Sequence, residues 1–218
     1  MSMVNERLIE YLNALETELP EYLNKLEQTA KETEVPIIRK EAQSLLRFLL
    51  CFQKPASILE VGTAIGFSAS FMSEYMPEHC TITTIEKVPM RIVCAEKNLA
   101  AIPKADKVTL LTGEAMDVLK QLADEGRQFD FIFMDAAKGQ YMNFLPELMR
   151  LLPKGGLLVT DNVLQEGSIV ESKYTIPRRD RTIHMRMREY LYTLKHMEEL
   201  ETVILPVGDG MALSTKLK

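Results

Sequence analysis

The apolar positions of the first fifty residues recur at helical spacing. Leu8, Leu12, Leu15 and Leu19 share one helical face, Pro20 interrupts it, and Tyr22, Leu23 and Leu26 resume it. After Pro36, Ile37 and Ile38 lead into a third stretch with Leu45, Leu46, Leu49 and Leu50 largely on one side, so residues 3–53 read as almost entirely helical. The period then changes. Short apolar runs at 57–62 (SILEVG), 81–86 (TITTIE), 107–113 (KVTLLTG), 129–135 (FDFIFMD) and 156–161 (GLLVTD) alternate with helix-period segments near 67–76, 88–100, 114–125 and 138–151. Strands alternating with helices predict βαβ units and a parallel sheet covered on both faces. Right-handed crossovers place the carboxyl end of every such strand on one edge of the sheet. The tail departs from this rhythm: a helix over about 178–197 precedes two strands, ETVILPV and GMALSTK, joined by Gly208-Asp209-Gly210. A tight Asp-Gly turn makes that last pair antiparallel. No repeat or linker divides the chain, which reads as one α/β domain over 1–218, with a helical extension at 1–53 and an α/β core at 54–218.

Composition excludes more than it assigns. With 218 residues, 46% hydrophobic and 26% charged, the chain is neither collagenous nor low-complexity nor a disordered acidic tail. No apolar run approaches the roughly 18 residues of a membrane-spanning helix. The start, MSMVNERLIEYL, lacks the basic and apolar regions of a signal peptide. Cys51, Cys80 and Cys94 show no CxxC spacing and read as reduced thiols rather than a zinc site, so the expected location is cytoplasmic. The net charge of −5 does not announce a nucleic-acid partner, but its distribution is uneven. Between Lys173 and Arg188 there are six cationic residues and one acid, Asp180. Such a block can steer an anionic partner where the average charge would not.

The first strand runs into Glu60-Val61-Gly62-Thr63-Ala64-Ile65-Gly66-Phe67-Ser68. Glycines at 62 and 66 let the backbone pass close to a ligand before the next helix begins. Counted from Gly62, Ala64 and Phe67 stand where the dinucleotide fingerprint G-x-G-x-x-G requires glycine, and there is no Gly-Lys-Ser/Thr phosphate loop. A dinucleotide-dependent oxidoreductase is therefore disfavoured. An acid at Glu60 before this looser loop suits a ligand with a cationic end and no pyrophosphate; a plain strand–helix turn is the bland alternative. Glu86 ends the second strand, where a carboxylate can take both hydroxyls of a ribose or merely cap a helix. Gly113, Glu114 and Ala115 follow the third strand, placed to border an adenine. In order, at the ends of three successive strands, these residues describe an adenosyl pocket.

With these motifs the chain resembles the class I S-adenosylmethionine-dependent methyltransferases, and more narrowly the metal-dependent O-methyltransferases that include the catechol and caffeoyl-CoA enzymes. The resemblance runs from about Pro36 to the C-terminus. It implies a Rossmann-like, seven-stranded, mostly parallel sheet whose last pair contains the one antiparallel strand. It also implies S-adenosylmethionine held by Ile38, Glu60, Gly62, Thr63, Gly66, Ser68, Glu86, Gly113, Glu114, Ala115 and Asp135, and a homodimer.

The fourth strand ends in Met134-Asp135-Ala136-Ala137-Lys138 and the fifth in Thr160-Asp161-Asn162. Adjacent strands lie about 4.8 Å apart, so Asp135, Asp161 and Asn162 can converge beyond one sheet edge. Two carboxylates and an amide oxygen suit Mg²⁺ or a similar hard divalent ion, although each residue alone also suits a helix cap. In the family the chain resembles, Asp, Asp and Asn at these strand ends are the metal ligands. A divalent ion that binds a hydroxyl and a neighbouring oxygen together lowers the hydroxyl pKa and fixes its direction, so the acceptor should carry two vicinal oxygens. Lys138 can take the proton or stabilise the oxyanion, as the matching lysine does in the catechol enzymes.

Catechols meet that requirement, and so does 5-hydroxyuridine. Arg178, Arg179 and Arg181 suit phosphate contacts, and Tyr141, Tyr174 or Phe144 can stack on a splayed base, although Phe144 also reads as core. The sequence pattern is most similar to bacterial tRNA 5-hydroxyuridine methyltransferases, which form 5-methoxyuridine at the anticodon wobble position. The expected acceptor is thus tRNA, with a small catechol or phenylpropanoid as the alternative. A non-catalytic RNA-binding protein is disfavoured, because binding alone needs no metal set.

Overall fold

The structure is a computed structural model that describes residues 5–218. Three helices come first: α1 (Glu6–Ala14), α2 (Glu21–Glu32) and α3 (Lys40–Gln53). Pro20, whose ring fixes φ and supplies no N–H, sits at the N-cap of α2, where that N–H would be unused. Strands and helices then alternate as the periodicity predicts: β1 (Ser57–Val61), α4 (Phe67–Tyr75), β2 (Thr81–Glu86), α5 (Pro89–Ala100), β3 (Val108–Thr112), α6 (Ala115–Asp124), β4 (Phe131–Met134), α7 (Tyr141–Leu151) and β5 (Leu157–Thr160). The chain ends with α8 (Arg181–His196), β6 (Leu200–Leu205) and β7 (Met211–Lys216). All seven strands form one sheet in the order β3-β2-β1-β4-β5-β7-β6, and β7 runs antiparallel to both β5 and β6. That is the sheet expected from the sequence, with its single reversed strand supplied by the Gly208–Gly210 turn. No helix among the described residues is long and apolar enough to cross a membrane.

Strand alternation sends neighbouring side chains into two separate cores. Ile58, Phe131 and Phe133 face α2, α3 and α4, packing with Leu23, Leu46, Leu50, Phe67 and Phe71. Leu59, Val61, Ile132 and Met134 face α6, α7 and α8, packing with Leu119, Phe144, Leu148, Met187 and Tyr190. The helical extension is therefore half structural. Helices α2 and α3 cover the sheet, whereas α1 buries none of its residues and leaves Leu8, Tyr11 and Leu12 exposed, with Leu15 exposed just beyond its end. The apolar spacing in α1 thus marks a helical face that this chain does not cover.

Candidate active site

The sheet order makes β1 and β4 neighbours, and the crossovers leave from them toward opposite sides. A crevice opens beyond their carboxyl ends, the general ligand position of open α/β sheets. A cavity of about 520 Å³ lies there. Its lining includes Ile38, Gly62, Thr63, Ser68, Glu86, Gly113, Glu114, Ala115 and Asp135, nine of the residues singled out from the sequence. Gly62 has φ +105°, and a Cβ at that position would collide with the carbonyl oxygen of Asp135, so the floor of the cavity admits only glycine. Glu86 is tightly seated: its carboxylate accepts backbone N–H groups from Ala64 at 2.9 Å, Lys87 at 2.8 Å and Val88 at 2.9 Å. Four lone-pair directions on a carboxylate leave room for a ligand hydroxyl.

Two of the expected cofactor residues stand elsewhere. Gly66 caps α4 in a left-handed conformation (φ +86°) with Leu99 packed against it, and does not line the cavity. Glu60 lies fully buried beneath the loop. One of its carboxylate oxygens accepts from the Thr84 hydroxyl, which in turn meets the Thr63 hydroxyl, while the other oxygen has no hydrogen-bond partner. Desolvation pushes its carboxyl up to about 7, despite the opposing influence of the Thr84 hydroxyl. Glu60 thus reaches the cavity through a threonine relay rather than by direct contact.

A second cavity of about 470 Å³ adjoins the first and shares Pro36, Ile37, Ile38 and Asp135 with it. It is lined by Lys138, Asp161 and Asn162, and by Arg39, Glu166 and Asp209, which the sequence reading did not select. Pairing of β4 with β5 brings Asp161 N–H to the Met134 carbonyl at 3.0 Å, and Asn162 Nδ2 donates to Asp135 Oδ1 at 2.9 Å. Asn162 adopts φ +63°, a left-handed turn that Asn tolerates better than most residues. The acids and the amide expected to converge do so.

The electrostatics of this set call for a cation. Burial raises the carboxyl of Asp135, and burial together with the Asp135 charge pushes Asp161 up to about 7. Lys138 lowers both, incompletely. Among the described residues no group of three or more His, Cys, Asp or Glu gathers as a metal site. The set is instead two carboxylates and an amide, hard oxygen donors of the kind that Mg²⁺ takes while keeping several waters. The residues present fit a divalent ion.

The acceptor side departs from the sequence reading. Tyr141 is 1% exposed, donates to the Asp161 carbonyl at 3.2 Å and packs edge-on against Tyr190, so it buttresses the strand end and cannot stack on a base. The basic block is largely engaged by its own chain. Arg181 donates to the carbonyls of Ile176 and Tyr174, Arg186 to Gly139, and Arg188 to Ile169 and Glu171. Arg179 pairs with Asp180 at 3.3 Å, and Lys173 lies over the Tyr174 ring. Arg181 and Arg188 tie down the irregular segment before α8, and Arg186 ties α8 to the loop after β4, instead of joining a free phosphate-binding row.

A Rossmann-like sheet with a cavity at the carboxyl ends of β1–β3 is the architecture of class I methyltransferases, and here an oxygen-donor cluster at β4–β5 stands beside it. The relatives agree. Residues 13–217 match the family described as O-methyltransferase, and the chain belongs to that family. It is 33% identical to a catechol O-methyltransferase of Niastella koreensis over 166 residues, covering 76% of this chain and 74% of that one. It is 30% identical to caffeoyl-CoA O-methyltransferase 1 of Eucalyptus globulus, covering 95% and 88%. Among solved structures, the Streptomyces achromogenes O-methyltransferase TomG in complex with S-adenosylmethionine superposes with a TM-score of 0.84 at 25% identity, over 99% of this chain and 100% of that one. A Bacillus cereus O-methyltransferase bound to S-adenosylhomocysteine shares the fold, with a TM-score of 0.85 at 22% identity over 96% and 97%. Transfer of a methyl group from S-adenosylmethionine to oxygen is the chemistry of this family, and the protein is an enzyme of it.

Proposed function

We propose that this enzyme methylates one hydroxyl of a small acceptor carrying two vicinal oxygens, of the catechol or phenylpropanoid type, with S-adenosylmethionine in the β1–β3 cavity and a divalent ion such as Mg²⁺ at Asp135, Asp161 and Asn162. The observation that carries the reading is the adjoining of the two cavities at Asp135, with Lys138 in the second. When bound, the ion would lower the pKa of the acceptor hydroxyl and hold both oxygens. Glu86 holds the ribose hydroxyls and Gly62 lets the cofactor lie against the strand end. Lys138 takes the hydroxyl proton or balances the oxyanion, and Tyr141 keeps the Asp161 strand end in place. Alignment of oxygen, methyl carbon and sulfonium then supplies most of the acceleration, because the leaving group is already activated.

A tRNA acceptor has less support. Its phosphate contacts would fall to Arg178, Arg179 and Arg181, of which Arg181 is bound to two backbone carbonyls and Arg179 to Asp180. The homodimer implied by the resemblance would use the exposed apolar residues of α1 together with Phe48 and Phe52 of α3, which stack on each other; sedimentation at the mass of one chain overturns it.

The test is transfer of labelled methyl from S-adenosylmethionine with Mg²⁺ to caffeate, to 4-methylcatechol and to tRNA carrying 5-hydroxyuridine. Label in the catechols, lost with EDTA, is the expected result. Label in the tRNA alone would overturn this reading and restore the RNA acceptor.

A further inference from the structure

The acceptor cavity contains a guanidinium that the mechanism above does not use. Arg39 enters from the segment between α2 and α3; its Nη2 donates to Glu166 Oε1 at 2.7 Å and lies 2.7 Å from Asp209 Oδ1 in an ion pair without hydrogen-bond geometry. All three side chains line the cavity with Asp135, Lys138 and Asp161.

The two carboxylates on Arg39 differ in kind. Asp209 belongs to the β6–β7 turn, which is pinned by backbone bonds from Val163 to Gly210 at 2.9 Å and from Leu164 to Asp209 at 3.0 Å. Its side chain is 21% exposed. Glu166 is 68% exposed and lies in a run of left-handed residues, Gln165 (φ +50°), Glu166 (φ +55°) and Gly167 (φ +89°). Two of these are not glycine and hold a conformation that L side chains disfavour. An exposed ion pair is weak because water and salt screen it. Asp209 is therefore a fixed charge beside Arg39 that makes no hydrogen bond to it, and Glu166 is the exposed, hydrogen-bonded partner whose place an incoming anion can take.

We infer that Arg39 is a specificity-determining residue, the seat for a carboxylate on the acceptor, and that Glu166 occupies this seat until the acceptor displaces it. Charge balance in the cavity agrees. With a divalent ion matching Asp135 and Asp161, Arg39 and Lys138 together balance Asp209 and Glu166. Release of Glu166 then leaves the cavity with one net positive charge, enough for one anionic group. The inference rests on the proposed function and narrows its acceptor to carboxylate-bearing catechols over neutral ones.

Two measurements test it. The first is the ratio of kcat/KM for caffeate to that for 4-methylcatechol, in which general damage to the enzyme cancels. Glu166→Gln should raise this ratio and Arg39→Ala should lower it, each by about tenfold, the size of one charge-assisted hydrogen bond. Arg39→Lys should recover part of the loss. The second needs neither metal nor turnover: calorimetric binding of cinnamate, which has the carboxylate but no vicinal hydroxyls. Its affinity should increase in Glu166→Gln and fall in Arg39→Ala. Equal affinity in all three proteins, or an unchanged ratio, overturns the inference. Tightening on Glu166→Gln for a short 5-hydroxyuridine oligonucleotide and not for cinnamate overturns it in favour of a phosphate-bearing acceptor. If neither catechol is methylated by the unaltered enzyme, the proposed function fails, while cinnamate binding still decides the role of Arg39.

Discussion

The two cavities at the sheet edge handle buried charge in opposite ways. On the β1–β3 side, Glu86 is met by three backbone N–H groups, and the fold itself satisfies the carboxylate. On the β4–β5 side, Asp135 and Asp161 share one cavity with Asn162, which donates to Asp135, and with Lys138, and both acids are pushed toward the protonated form. The first arrangement is a finished receptor whose geometry does not depend on what binds. The second stores unfavourable electrostatics that a cation would relieve, as burial of like charges requires. A region built for recognition and a region built for chemistry can thus be told apart by how completely the protein solvates its own acids.

Replacing Asp161 tests this contrast most severely. Asp161→Asn should reduce methyl transfer by about a thousandfold, several kcal/mol of barrier. Calorimetric affinity for S-adenosylhomocysteine should stay within about threefold, since of the residues expected to hold it only Asp135 adjoins Asp161. A parallel loss of cofactor affinity would show that the two cavities are not separable.

Glu60 comes next, because it lies on the recognition side yet behaves like the acids of the other. Its carboxyl is raised from the ordinary 4.5 to about 7, so the folded state binds the proton more tightly than the unfolded one. Its contribution to stability is fully present below pH 4.5 and is lost as pH rises through 7. The cost of ionisation is on the order of 3 kcal/mol. Glu60→Gln should therefore flatten the fall in urea midpoint between pH 5 and 8. An unchanged pH profile would remove Glu60 as its source.

Gly62 joins the two regions, since a methyl there would strike the Asp135 carbonyl. Gly62→Ala should cost about 2–3 kcal/mol in chemical denaturation, through a clash added to an unfavourable φ. Gly126→Ala is the control, with φ +72° and open space around the added methyl. It should cost only about 1–2 kcal/mol. Equal losses would mean that conformation alone, and not the contact between the cavities, sets the requirement.

The smallest effects are expected in the basic segment. Replacing Arg178 and Arg179 by alanine should change stability by less than about 0.5 kcal/mol, as exposed substitutions do. Turnover of a small acceptor should not change either. Arg181→Ala should cost about 1 kcal/mol, because it removes the donor to Ile176 and Tyr174. A loss of tRNA methylation in the first variant would return that segment to the acceptor site.

The cofactor and metal candidates were legible because they occupy consecutive strand ends. Once strands and helices alternate, handedness puts Glu86, Gly113, Asp135 and Asp161 on the same edge, and residue type does the rest. Tyr141 was misread for the opposite reason. An aromatic residue three positions beyond Lys138 looks identical in sequence whether it faces solvent or core, and only its packing against Tyr190 separates the two. Gly66 was misassigned likewise, since a glycine beside a ligand and a glycine capping a helix have the same spacing. Arg39 was missed because its partner Glu166 lies 127 positions away.

The order of elements, the reversed last strand and the convergence of the oxygen donors were written in the local pattern, because period, turn chemistry and crossover handedness act over a few residues at a time. Which cations remain free was decided only by the folded chain. A guanidinium is satisfied by whatever carbonyl or carboxylate the tertiary structure brings within 3 Å or so, and no rule of spacing along the chain specifies that partner.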